Sequence, residues 1–224
     1  GSVPWLRDRR GRNFYAVGGA LRAIARIYID QIDYPLHVLD NLTIAAGAAR
    51  ELCRILVGLS PASLEKMAGV ANRRADTLPF AALALDRLLK ATKPKSLIIS
   101  GYGLREGIFF ETLHGELKSQ DPLIAACEGF ARRSGRFAVH GDEIFQWIAP
   151  LFSGFGPADL RIFRAASLLS DIGWTEHPDY RALHAFIRVL RFPIAGLTHR
   201  ERVMLALAIF VRYNGRTSQY DVKR

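Results

Sequence analysis

Residues 96–110 read Ser-Leu-Ile-Ile-Ser-Gly-Tyr-Gly-Leu-Arg-Glu-Gly-Ile-Phe-Phe, and the fold turns on how the break at Gly101-Tyr102-Gly103 is read. The residues before it are apolar or β-branched and lie between Pro94 and Gly101, the mark of a short buried strand. After it, Leu104, Ile108 and Leu113 fall at near-helical intervals. The spacing therefore predicts strand, tight turn, helix. A turn of that kind brings backbone N–H groups to the mouth of a sheet, where an anion can sit. A Gly-x-Gly also serves wherever a turn merely needs positive φ, and this stretch alone does not choose between the two.

Working outward, the same unit occurs earlier. Asn13–Val17 is a second candidate strand that runs into Gly18 and Gly19, and the helical pattern that follows puts Leu21, Ile24, Ala25 and Tyr28 on one stripe. Each helix carries an arginine near its start, Arg22 in one and Arg105 in the other. Between the units the pattern is helical over roughly 37–58, in a short helix with Ser60 as N-cap and Pro61 at its first position, and over roughly 73–91. A long helical crossover is the usual connection between parallel strands. Only two strands are evident in the first 115 residues, and a two-stranded parallel sheet is too small to stand alone. We expect either that another copy of the chain lends it strands or that the chain begins partway through a larger domain; the opening Gly1-Ser2, which looks like a cloning remnant, favours the second.

From about residue 122 the pattern is purely helical. Predicted helices cover Pro122–Ser134, His140–Phe152, a segment from Pro157 that stops at Gly173, Pro178–Phe192 and a last helix after Thr198. Thr198 and Glu201 form a capping box, and Gly215 lies just past the end. The expected fold class is α+β overall and mostly α, with domains at 1–120 and 121–224.

Half of the chain is hydrophobic and no apolar run approaches a membrane span, which points to a globular, cytoplasmic protein. Cys53 and Cys127 sit in apolar helical contexts without metal-type or redox-type spacing, so they are expected as buried small hydrophobes. The net charge of +10 divides evenly, +5 from residues 1–125 and +5 from 126–224. With no basic tail, a nucleic-acid partner is not expected. Arg contributes 25 of the 31 basic side chains. That excess suits bidentate recognition of phosphate, and it is also what codon drift in a GC-rich genome produces.

The segments YAVGGALRAIARI (15–27), YPLHVLDNLTI (34–44), NRRADTLPFAALALDRLL (72–89), SGYGLREGIFFE (100–111), LLSDIGWTEHPDYRALHAF (168–186) and LTHRERVMLALAIFVRYNG (197–215) resemble, in order and over nearly the whole chain, the exopolyphosphatase and guanosine pentaphosphate phosphohydrolase family (Ppx/GppA). By that resemblance the first part is a partial second lobe of an actin-like, ribonuclease-H-like fold, and the helical part is an HD-like C-terminal domain. The resemblance implies a homodimer and a Mg²⁺-dependent phosphoric anhydride hydrolase that releases terminal phosphate from polyphosphate or guanosine pentaphosphate. It also implies that the catalytic glutamate and both phosphate loops lie in a first lobe outside this chain. The chain is then expected to catalyse nothing alone and to supply no ligands to the Mg²⁺.

In such a reaction positioning and charge neutralisation supply most of the rate. The candidate phosphate- or substrate-binding residues are Gly18, Gly19, Arg22, Arg73, Arg74 and Arg105. The glycines let backbone approach a phosphate and Arg22 can cap it; alternatively the turn is only tight and Arg22 pairs with a carboxylate. Arg73 and Arg74 open a helix, where a cation opposes the dipole unless an anion offsets it. Arg105 and Glu106 point about 100° apart on a helix and are expected to pin it to separate neighbours. A metal-dependent HD site needs a His, a His-Asp pair and a distant Asp. Here His140 is followed by Ser170-Asp171, and serine cannot replace imidazole, so no catalytic or metal residue is assigned; Asp171 is expected to bond backbone donors of the turn at Gly173. The alternative reading is a non-catalytic anion-binding and dimerisation module, with an interface around Phe145, Trp147, Phe152 and Phe155.

Overall fold

The computed structural model describes residues 10–67, 75–134 and 140–216. The chain divides into two compact units, Gly1–Thr112 and Leu113–Arg224, each with its own apolar core. Most described residues are helical, and the strands form one small sheet.

In the first unit β1 (Phe14–Ala16), β2 (Thr43–Ala45) and β3 (Ser96–Ile99) form a three-stranded sheet in the order β1-β3-β2. β1 runs parallel to β3, with Ala16 opposite Ile99, and β2 runs antiparallel to it, with Ile44 opposite Leu97. The two parallel strands are those expected from sequence. β2 corrects the expected helix over 37–58: Ile44 is fully buried against β3, and the helix α2 (Ala46–Gly58) begins directly after the strand. Three residues alternating out-in-out are enough to pair with β3, because antiparallel pairing needs only that Ile44 reach the core.

Helix α1 (Gly19–Gln31) buries Ala23, Ile24, Ala25, Ile27 and Ile29. The short α3 (Pro61–Glu65) starts as expected, with Ser60 Oγ accepting the Ser63 N–H at 3.2 Å. α4 (Leu78–Thr92) lies along α2 and buries Leu78, Ala82, Leu85 and Leu89. Between them Arg50 donates to Asp86 at 2.8 Å. Cys53 on α2 is fully buried, and that burial pushes its thiol up to about 11, which marks it as unreactive. α5 (Leu104–Glu111) follows the Gly101–Gly103 turn and buries none of its residues. Leu113, expected on the same stripe, lies beyond the helix.

The second unit is helical: α6 (Gly115–Ser119), α7 (Pro122–Ser134), α8 (His140–Ile148) with a 3₁₀ turn over Ala149–Phe152, α9 (Pro157–Leu168), α10 (Pro178–Leu190) and α11 (His199–Arg212). α10 pairs with α11, while α9 packs on α7, α8 and α11. The Thr198–Glu201 capping box forms in full: Thr198 Oγ1 accepts the Glu201 N–H at 3.2 Å and the Glu201 carboxylate accepts the Thr198 N–H at 2.7 Å. At the other end the left-handed residue is Asn214 (φ 61), one position before the glycine expected there. Gly215 is required for space: a Cβ on it would lie 2.5 Å from the Phe210 ring. Asp171 corrects a second expectation. Its carboxylate accepts from Arg212 at 3.4 Å, and it is the Tyr213 hydroxyl that accepts the Gly173 N–H, at 3.0 Å.

Candidate functional site

Because β1 and β3 are parallel neighbours, both glycine turns leave the same end of the sheet. Ser100 N–H donates to Ala16 O at 2.9 Å, so the chain enters Gly18 and Gly101 side by side. The carboxyl end of parallel strands is where ligands of α/β sheets bind. Gly18 (φ 117, ψ 160) is the N-cap of α1 and, being glycine, offers no capping side chain of its own. A backbone in that region is open to glycine alone.

The Gly101–Gly103 turn is different. Gly101 N–H donates to Asp40 Oδ1 at 2.8 Å, Tyr102 N–H to Ser100 Oγ at 3.1 Å, and Gly103 N–H to the Glu106 carboxylate at 2.6 Å. Its donors are consumed by the protein, two of them by carboxylates. Glu106 stays below the usual carboxylate range, held there by its own backbone N–H and that of Gly103, with smaller help from Arg105 and Arg22. Glu106 therefore folds back on its own turn, which corrects the expectation that it pins α5 to a neighbour. Arg105 is exposed and likewise reaches no other element among the described residues.

Arg22, in the first turns of α1, donates from Nη1 to the Gly101 carbonyl at 2.7 Å. This cation ties the first glycine unit to the second, with the Glu106 carboxylate in its field. The sequence gives no sign of Asp40, because 61 residues separate it from Gly101 and no spacing rule joins an Asp to a peptide so far away. Its approach explains the glycine: a Cβ on Gly101 would lie 2.9 Å from Asp40 Cβ. The arrangement thus gathers Gly18, Gly19, Arg22 and Arg105 at one end of one sheet. Arg73 and Arg74 lie outside the described residues.

In the helical unit, His140 Nδ1 is 2.6 Å from the Glu143 carboxylate and His184 Nδ1 is 3.0 Å from that of Glu176. His177 caps α10, its Nδ1 accepting the Asp179 N–H at 3.3 Å. No three His, Cys, Asp or Glu groups converge on a possible ion position among the described residues.

Comparison with known proteins covers both units. Residues 9–116 match the family described as "Ppx/GppA phosphatase family", and residues 123–222 match "Exopolyphosphatase, C-terminal". Among curated proteins the chain is similar to "Retrograde regulation protein 2" of Saccharomyces cerevisiae, 24% identical over 227 residues. That match takes in 95% of this chain and 37% of the yeast protein, so the chain spans little more than a third of its relative's length.

Proposed function

Since the chain belongs to the Ppx/GppA phosphatase family, we propose that it forms the substrate-holding part of a phosphohydrolase that removes terminal phosphate from polyphosphate or guanosine pentaphosphate. The observation that carries this reading is the pair of glycine turns at one end of the parallel strands β1 and β3, with the Arg22 guanidinium of α1 bonded to the carbonyl of Gly101. A helix start with a nearby guanidinium is a receptor for phosphate oxygens: the N–H groups and the dipole favour negative charge, and Arg adds fixed donors that water does not need to reorganise. Gly18 and Gly19 admit the anion to backbone distance, and Arg105 adds positive field from the neighbouring turn. Arg22 spends one donor on Gly101 and has four more N–H groups in its fork.

No general base or nucleophile is assigned to this chain, and Mg²⁺, which would supply charge neutralisation to the whole enzyme, is held elsewhere in this reading. The residues here bind and orient. The partial actin-like lobe, the HD-like helical domain and a cytoplasmic location belong to the same proposal; no described helix is long and apolar enough to cross a membrane.

A second reading has its own support. Trp147 and Leu151 are 82% and 78% exposed, as a dimer contact would require, and the yeast relative's name is that of a regulator. In that reading the chain binds an anion and assembles without catalysing. One experiment separates the two: phosphate release from polyphosphate with Mg²⁺ by the 224-residue chain and by a longer chain extended upstream, run beside polyphosphate binding by each. Binding by both with release by the longer chain alone supports the first reading. Binding without release by either supports the second, and absence of binding overturns both.

A further inference from the structure

In the helical unit, α8 and the 3₁₀ turn that continues it leave an apolar surface bare. Trp147 and Leu151 stand one turn apart and are largely exposed, and Phe155 just beyond them is half exposed. Their footing is fixed by rings. Phe152 packs on Phe163 of α9 with centroids 4.4 Å apart, and Phe155 meets both edge-on, at 5.7 and 5.3 Å. Gly154 and Gly156 flank Phe155, and a Cβ on either would stand in open space, so packing within the helical unit does not call for glycine there. Exposed aromatic side chains held in place by packing are what the centre of an interface is built from.

Two features of this surface decide its occupant, and the first is charge. From Gly141 to Leu160 the chain has Asp142, Glu143 and Asp159 and neither lysine nor arginine, in a protein of net charge +10. Arg164 reaches the segment from α9 and is held between Asp142 at 2.7 Å and Glu128 at 3.3 Å. His140 lies 2.6 Å from Glu143. Exposed Glu143 and Asp159 thus flank the apolar residues with negative charge. A second copy joined by a two-fold would bring the same acidic residues against these, and an anionic lipid surface would be repelled. A cationic partner is drawn in. The second feature is size. The exposed parts of Trp147, Leu151 and Phe155 come to about 400 Å², half of what each partner of a standard interface buries. That area is too small for a stable dimer and matches one face of a short helix. We infer that this surface docks a basic amphipathic helical segment of another protein, with aliphatic anchors on Trp147, Leu151 and Phe155 and lysine or arginine against Glu143 and Asp159. The inference makes no use of the glycine turns, so it stands or falls apart from the phosphate reading.

The test is fluorescence anisotropy of two labelled amphipathic helical peptides, one of leucine and lysine and one of leucine and glutamate, titrated with the 224-residue chain. Sedimentation of the chain alone, its binding to phosphatidylglycerol vesicles and thermal unfolding of each variant run beside it. A chain of net charge +10 attracts the glutamate peptide and repels the lysine peptide unless a particular surface takes the latter. The wild type is expected to bind the lysine peptide about tenfold more tightly than the glutamate peptide. Trp147→Ala is expected to weaken the lysine peptide about tenfold. Glu143→Lys combined with Asp159→Lys should weaken it by a similar factor and flatten its salt dependence. If Trp147→Ala does not fold, Leu151→Ser reads the same contact. A lysine peptide bound no more tightly than the glutamate peptide, or bound with wild-type affinity by Trp147→Ala or by the charge-reversed chain, overturns the inference. So does a wild-type dimer that Trp147→Ala turns into a monomer, which makes the occupant a second copy, or vesicle binding that Trp147→Ala abolishes, which makes it a lipid surface.

Discussion

At the scale of single residues, arginine does much of the structural work. Arg202 is 1% exposed and donates to three carbonyls at and just past the end of α10: Leu190 O at 3.4 Å, Phe192 O at 2.5 Å and Ile194 O at 3.1 Å. Removing it strands buried acceptors, so Arg202→Ala is expected to cost about 3 kcal/mol, read by urea unfolding. Asp121 shows the acidic counterpart. Its carboxylate accepts the Leu123 N–H at 2.8 Å at the start of α7 and pairs with both Nε and Nη2 of Arg161. The Arg161 hydrogen bonds hold the Asp121 carboxyl below its ordinary range. A lowered native value means that the unfolded chain takes up the proton first. The stabilisation is then complete above about pH 4 and fades as acid titrates the native carboxylate. Asp121→Asn should flatten that acid limb of stability while lowering stability at neutral pH, as thermal unfolding from pH 2 to 7 would register. Neither residue was legible from sequence, because Arg202 reads as one more surface charge on a helix and Arg161 meets Asp121 from 40 residues away.

At the scale of elements, legibility follows the range of the forces involved. The Ser60 and Thr198 caps, the strand before Gly101 and the helix starts at Pro61, Pro122, Pro157 and Pro178 are local chemistry, and the sequence states them. β2 was hidden because Thr43-Ile44-Ala45 passes into α2 with no breaker, and its strand geometry comes from pairing with β3. Local preference and packing disagree openly at Gly141. Alanine is the better helix former by about 1 kcal/mol. Yet a Cβ at Gly141 would lie 2.7 Å from Leu168 Cα, in the backbone of α9. Forcing the two helices apart costs about 1–3 kcal/mol. Gly141→Ala should therefore destabilise the helical unit despite its propensity, which chemical denaturation would report as a lower midpoint at unchanged slope.

At the scale of the molecule, the two cores share no residue. Residues 113–224 are accordingly expected to fold when expressed alone, with helical circular dichroism and a cooperative thermal transition. A non-cooperative melt would show that they depend on the first unit. The charge excess also changes meaning at this scale. From composition, a chain with Arg for 25 of its 31 basic residues invites a polyanion everywhere on its surface. In the structure Arg22, Arg161, Arg181, Arg188 and Arg202 donate to backbone carbonyls of turns and loops. Arg50, Arg164 and Arg212 pair with carboxylates. Counting charges could therefore name no candidate site, whereas the paired glycine turns name one, since a helical crossover between β1 and β3 is what joins parallel strands.

That wiring bears on how such a sequence can drift. A guanidinium spans two or three carbonyls at fixed angles, whereas an ammonium is a single point on a flexible stem. Where mutational pressure exchanges arginine codons for lysine codons, exposed positions such as Arg87 and Arg200 are free to follow. Arg202, braced against Leu190, Phe192 and Ile194, is not, nor is Arg161 between Asp121 and Gly196. Lineages of this chain with AT-rich genomes should thus keep a residual skeleton of arginines that marks the loops, a record of architecture left behind in codon usage.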